Sequence, residues 1–294
     1  MRFSIGLPVD HVDKPEEFVT GAAIAEMSAA AEEAGFDAVY VTDHPAPDDR
    51  WLESGGHHAL DPLVALAFAA ASTTTIRLHT HIYVVAYRNP FLAAKGVATL
   101  DALSGGRVIL GVAAGYLRPE FGALGVDFDL RNDLLEESIA VMKRVWTEDH
   151  VAVEGSGYRA RGVTQLPRPA TQPHPPIWIG GNSMRAMRRA VDIGQGWSPF
   201  PNPPTVALAV KTPSISNVDD LASRLDAAKE YANSVGRTET MDVSFARFES
   251  DHDPDDYASI GVTWLTSQLD GHPTRDSWID GVRELAADLR LGNR

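Results

Sequence analysis

Eight short runs rich in branched and aromatic residues recur along this chain, with helical segments between them, and that alternation leaves few folds open. The runs are Phe3 to Leu7, Ala38 to Thr42, Ile76 to Ile82, Val108 to Val112, Ile177 to Gly180, Gly196 to Ser198, Met241 to Phe248 and Val262 to Thr266. Each is short and apolar on both faces, as expected of parallel strands covered by helices. The segments between them carry helical punctuation. A helix is predicted from Glu16 to Ala34, with Ile24, Met27, Ala31 and Ala34 on one stripe, stopped by Gly35. Asp61-Pro62 and Asn89-Pro90 each place a capping side chain before a proline suited to the first helical turn. The second of these helices should stop at Ser104-Gly105-Gly106.

Eight strand–helix pairs within 294 residues fit a TIM (β/α)8 barrel, which needs roughly 250. An open doubly wound sheet is the competing architecture. Residues 1–294 read as a single domain, since no linker or compositional break divides them. The largest insertion falls between strands four and five, with a small hairpin at Val151 to Ala160 turning at Gly155-Ser156-Gly157. A proline-rich approach from Pro167 to Pro176 leads into strand five.

A formal charge of −14 argues against a general nucleic-acid or membrane-binding surface, which needs a basic face. The absence of cysteine removes disulfides, thiolate nucleophiles and zinc–thiolate sites, and fits a reducing compartment. Neither a secretory h-region nor a run of about 20 apolar residues is present, so a cytoplasmic protein acting on a small molecule is expected. His57 and His58 lie in a glycine-containing loop without further ligands at metal-binding spacing, and no metal site is predicted.

In a parallel barrel, chemistry collects where strands end. The second strand ends in Asp43-His44, an imidazole that can exchange a proton near neutral pH with a carboxylate to orient it. The fifth ends in Gly180-Gly181-Asn182-Ser183. Those glycines would let backbone amides approach an anion, while Asn182 or Ser183 caps the following helix. Arg185, Arg188 and Arg189 follow on that helix as a candidate anion-attracting cluster. The small residues from Gly111 to Gly115, including Ala113 and Ala114, either leave room for a ring or let the strand end pack closely. Substrate contacts are expected from loops at residues 45–59, 113–130 and 198–216. Within them Trp51 shields the site or packs on its own loop, and His174, in the proline segment, packs structurally.

Several ordered stretches carry a family resemblance: Tyr87-Arg88-Asn89-Pro90, Thr99 to Arg107, Gly111 to Gly115, Pro173 to Gly181 and Gly196-Trp197. Across roughly residues 3 to 200 the chain resembles the luciferase-like monooxygenase superfamily, most closely its coenzyme F420-dependent oxidoreductases. The resemblance implies a TIM barrel holding F420, or alternatively FMN, at its C-terminal mouth, and a homo-oligomer. It implies that His44 exchanges a proton while hydride moves to or from the deazaflavin. It also implies a β-bulge through Thr80, His81 and Ile82, with a non-prolyl cis bond at His81-Ile82 against the cofactor ring. Cofactor contacts are thereby expected from Asp43, Thr80, His81, Ile82, Ala113, Ala114, Gly180, Gly181, Asn182, Ser183 and Arg185. Tyr116 departs from the glutamate that some F420-dependent sugar and alcohol dehydrogenases carry as proton donor. Two rival readings stay open: an FMN-dependent monooxygenase, and a cofactor-binding protein without turnover.

Overall fold

The computed structural model describes residues 1–204, 207, 212–248 and 253–293. Its ten strands are β1 (Arg2–Gly6), β2 (Ala38–Val41), β3 (Arg77–Tyr83), β4 (Val108–Val112), β5 (Val151–Gly155), β6 (Tyr158–Val163), β7 (Ile177–Gly180), β8 (Gly196–Ser198), β9 (Asp242–Ala246) and β10 (Trp264–Ser267). Eight of them close a parallel barrel in the order β1-β10-β9-β8-β7-β4-β3-β2. Pairing of Phe3 with Leu265 joins the last strand to the first, which excludes the open sheet. The two strands outside the barrel, β5 and β6, form the antiparallel hairpin of the insertion between the fourth and fifth barrel strands.

Alternation along the strands creates two cores. Phe3, Ile5, Val39, Val41, Leu78, Leu110, Ile177, Ile179, Val243, Phe245 and Leu265 join the main apolar cluster with the surrounding helices. Their neighbours Ala38, Ile109, Trp178 and Trp264 form a small separate cluster, because successive strand residues point to opposite faces. Helix caps act as predicted. Asp61 accepts from the Leu63 and Val64 amides at 3.0 and 3.1 Å, and Asn89 accepts from Phe91 at 2.9 Å. Gly35 follows its helix at φ +90°, a left-handed conformation open to glycine without steric cost.

Two expectations change. The single helix from Glu16 to Ala34 is instead two, Pro15–Phe18 and Gly21–Glu33. Thr20 is extended between them, and its hydroxyl accepts from the Ala23 amide at 3.0 Å. The capping hydroxyl makes a new helix start that competes with continuation. Residues 113–130 are not a simple loop either: they contain the helix Arg118–Ala123, which supplies a site residue.

Candidate active site

His44 lies just beyond β2, at the C-terminal mouth of the barrel, with its side chain 11% exposed. Trp51, His57 and Tyr116 surround it, with ring centroids 4.4, 5.0 and 6.0 Å away. The loops after β2 and β4 therefore close an aromatic collar around one imidazole. Trp51 belongs to that collar rather than packing only on its own loop. Burial lowers the basicity of His57 below the ordinary histidine value, which favours its neutral form beside His44.

The carboxylate that meets His44 is Glu120, not Asp43. Glu120 is fully buried, and its Oε2 lies 3.3 Å from His44 Nδ1. The Tyr87 hydroxyl donates to the same oxygen at 2.7 Å, and the Ala46 amide donates to Oε1 at 3.2 Å. Burial pushes the Glu120 carboxyl up, but its hydrogen bonds with His44 and Tyr87, the charge of His44 and the Ala46 amide outweigh burial and hold it below the usual carboxylate range. An ionised carboxylate only accepts, so it selects the tautomer with the proton on Nδ1 and leaves Nε2 as the acceptor. This is the arrangement of a general base.

Asp43 has other work. Its carboxylate takes a bidentate contact from Arg88, at 2.6 and 2.9 Å, and accepts from the Val84 amide at 2.9 Å. The Arg88 guanidinium also lies 4.2 Å from the centre of the Tyr83 ring. The expectation that Asp43 orients the imidazole is thus corrected: it clamps the end of β2 to the segment leaving β3.

That segment begins at a bulge. The pairing of β3 with β4 shifts between Thr80 and Tyr83, and the His81-Ile82 peptide is cis. Thr80 is buried, its hydroxyl donating to the Gly111 carbonyl at 2.9 Å. Ile82 reaches toward β7: a Cβ placed on Gly180 would fall 2.0 Å from Ile82 Cδ1 and 3.6 Å from Ala113 Cβ. Gly180 therefore gives the Ile82 side chain room to lie against β7 beside Ala113, and the three make one apolar floor. Ala114 packs against the main core instead. Gly111 is needed for close packing, since its Cβ would lie 2.2 Å from the Thr80 carbonyl oxygen.

At the end of β7 the anion site is narrower than the glycines imply. The Gly181 amide donates to the Ser198 carbonyl at 3.1 Å and is not available to a phosphate. Asn182 is buried and bonds to the backbone of Phe200 and Pro213, so it tethers the loop after β8 rather than capping a helix. Ser183 is the cap, accepting from the Ala186 amide at 3.1 Å. The arginine cluster is also largely committed. Arg189 is buried against Glu136 at 2.5 Å, and Arg188 lies over the Tyr231 ring at 5.2 Å. Arg185 reaches Asp133 and Glu136 at 2.9 and 3.2 Å, but its side chain is 53% exposed, where exchanging an ion-pair partner costs little.

His174 packs as expected, with Nδ1 2.8 Å from the Pro175 carbonyl oxygen. Part of the predicted substrate segment 198–216, namely 205–206 and 208–211, lies outside the described residues. Glu120, Tyr87 and Arg88 are the functional residues absent from the sequence-based site. The usable signal for Glu120 was Pro119, a helix-starting residue directly before it.

Residues 1–245 match the luciferase-like monooxygenase family. The chain belongs to that family. Among its relatives, an F420-dependent glucose-6-phosphate dehydrogenase of Intrasporangium calvum is 34% identical over 180 residues, covering 59% of this chain and 52% of that one. A protein of the same description from Segniliparus rotundus is 30% identical over 251 residues, covering 84% of this chain and 69% of that one. The chain spans about half the length of the first of these curated relatives. Among solved structures, the monooxygenase RslO1 from Streptomyces bottropensis superposes with a TM-score of 0.79 over 100% of both chains at 21% identity, a likeness of fold. Among the described residues, no helix is long and apolar enough to cross a membrane.

Glu120→Gln should change the acid side of the stability profile. A carboxyl held low in the folded state contributes stability that is complete above its unfolded value, about 4.3 for glutamate, and lost as pH falls through the folded value. The stability advantage of the native chain over Glu120→Gln is therefore expected at pH 7 and to shrink below pH 4. Denaturant midpoints of both proteins across that range check it.

Proposed function

We propose that the chain is an F420-dependent oxidoreductase that moves a hydride between the deazaflavin and a small organic substrate. The observation that carries this reading is the His44–Glu120 pair inside an aromatic collar at the barrel mouth. The names of the relatives, F420-dependent dehydrogenases, support the cofactor assignment. The apolar floor of Ile82, Gly180 and Ala113 suits the face of a tricyclic ring. Ser183 and Arg185, at the start of the helix after β7, would meet the anionic part of the cofactor.

When bound, F420 supplies a ring carbon that gives or accepts hydride. The protein does the rest. Nε2 of His44 takes the proton released when a substrate alcohol is oxidised, or returns it in the reverse direction. The ionised Glu120 stabilises the resulting imidazolium, and the Tyr87 hydroxyl holds Glu120 in place. Trp51 and His57 restrict water around that proton transfer. Tyr116 is about half exposed, and a phenol is protonated at neutral pH. Tyr116 therefore stays protonated and donates a hydrogen bond to substrate, rather than exchanging a proton as a carboxylic acid would. The enzyme acts in the cytoplasm as a homo-oligomer.

Purification from a host that makes both F420 and FMN tests the cofactor reading. The expected copurifying species has the absorbance and mass of F420. Copurified FMN would favour the monooxygenase reading on the same barrel.

A further inference from the structure

The inside of the barrel is more polar than a packed core of this type requires. Ser4, Ser198, Ser244 and Thr266 are at most 2% exposed, and among the described residues none of their hydroxyls has a protein partner. They alternate with residues of the outer core such as Ile5, Val243, Phe245 and Leu265, so they face the barrel axis. Their strands, β1, β10, β9 and β8, are consecutive and form one wall.

His79 and His81 stand on β3, directly across the closed barrel from β9. Their rings are 5.0 Å apart. His79 is fully buried, yet among the described residues neither of its ring nitrogens has a protein partner, and Nδ1 of His81 is likewise shut off and unpaired. The Nε1 donors of Trp178 and Trp264, in the layer beside them, are also unpaired. A neutral imidazole must place one N–H and one lone pair. Burial holds both imidazoles below the ordinary histidine value, which keeps them neutral. Most buried polar groups in native interiors find a partner in protein or ordered water, and here two walls of groups without a protein partner among the described residues face each other.

We propose that the barrel interior is a hydration site, in which a column of ordered water molecules bridges Ser4, Ser198, Ser244 and Thr266 to the imidazoles of His79 and His81. Water fits because it both donates and accepts, and this set of hydroxyls and imidazoles needs both. Glycines accommodate the rings around the column. A Cβ on Gly6 would sit 2.8 Å from Tyr40 Cζ, and one on Gly196 would sit 2.3 Å from Trp178 Cδ1. His81 is at the mouth end of the column, so the water reaches the underside of the floor made by Ile82.

Water relaxation dispersion on the full chain counts internal waters that outlast molecular tumbling. The native protein is expected to show several, and the combined variant Ser198→Ala, Ser244→Ala, Thr266→Val to show fewer. A folded variant with the native count would overturn the proposal. If the variant does not fold, a high-resolution crystal structure of the native chain decides. Water within about 3 Å of a His79 ring nitrogen, an ordinary hydrogen-bond distance, supports the column. An interior without water density overturns it.

Discussion

His44→Ala is expected to lower the rate of F420 turnover by roughly 100-fold or more, the usual worth of a positioned acid–base group. Cofactor affinity should stay within several-fold of the native value. The imidazole is held by Glu120 rather than by the floor of the mouth, so its loss removes a proton acceptor and leaves the ring-binding surface intact. Steady-state rates and fluorescence titration of F420 separate the two effects. A large loss of affinity with an unchanged rate would make His44 a binding residue only. Unchanged values of both would remove it from the site.

Asp43→Ala is expected to act on the fold rather than on the proton. Asp43 is nearly fully buried and Arg88 is 19% exposed in the pair they form. Removing the carboxylate takes the bidentate partner from the guanidinium, which keeps the Val84 carbonyl at 3.3 Å and Asp61 at 3.7 Å, and leaves the Val84 amide without its acceptor. Breaking a buried ion pair from one side costs about 3–5 kcal/mol, enough to consume much of a typical domain's stability. Denaturant unfolding of Asp43→Ala against the native chain measures it. A loss below about 1 kcal/mol, the worth of an exposed pair, would show that the clamp is not what holds the segment after β3.

These two neighbours illustrate what local sequence carries. The barrel was legible because each strand announces itself over three to seven residues, and β4, β7 and β8 fall at the predicted limits. Asp43 and His44 were legible as residues of the mouth for the same reason. Their partners were not. Glu120 is 76 positions from His44, on a six-residue helix too short to show a periodic stripe. Arg88 is 45 positions from Asp43, and adjacency in sequence made Asp43 look like the partner of His44 instead. The arginines after β7 misled similarly: Asp133 and Glu136, which neutralise Arg185 and Arg189, come from a helix 49 to 53 residues earlier. Composition shows the charge of such a cluster, whereas only the fold shows what it is paired with. The cis bond at His81-Ile82 was accessible through family resemblance alone, since nothing in those two side chains favours it.

The pairing of those arginines also alters what electrostatics contributes. An acidic protein with three free cations at the rim would bind an anionic tail with strong salt dependence. Here Arg185 and Arg189 share two carboxylates, so under the proposed function shape and the floor of the mouth would carry more of the cofactor preference. The most direct test is equilibrium titration of the purified chain, freed of bound cofactor, with F420 and with FMN under the same conditions. The account predicts tighter binding of F420 at both low and high salt. Tighter binding of FMN would contradict it.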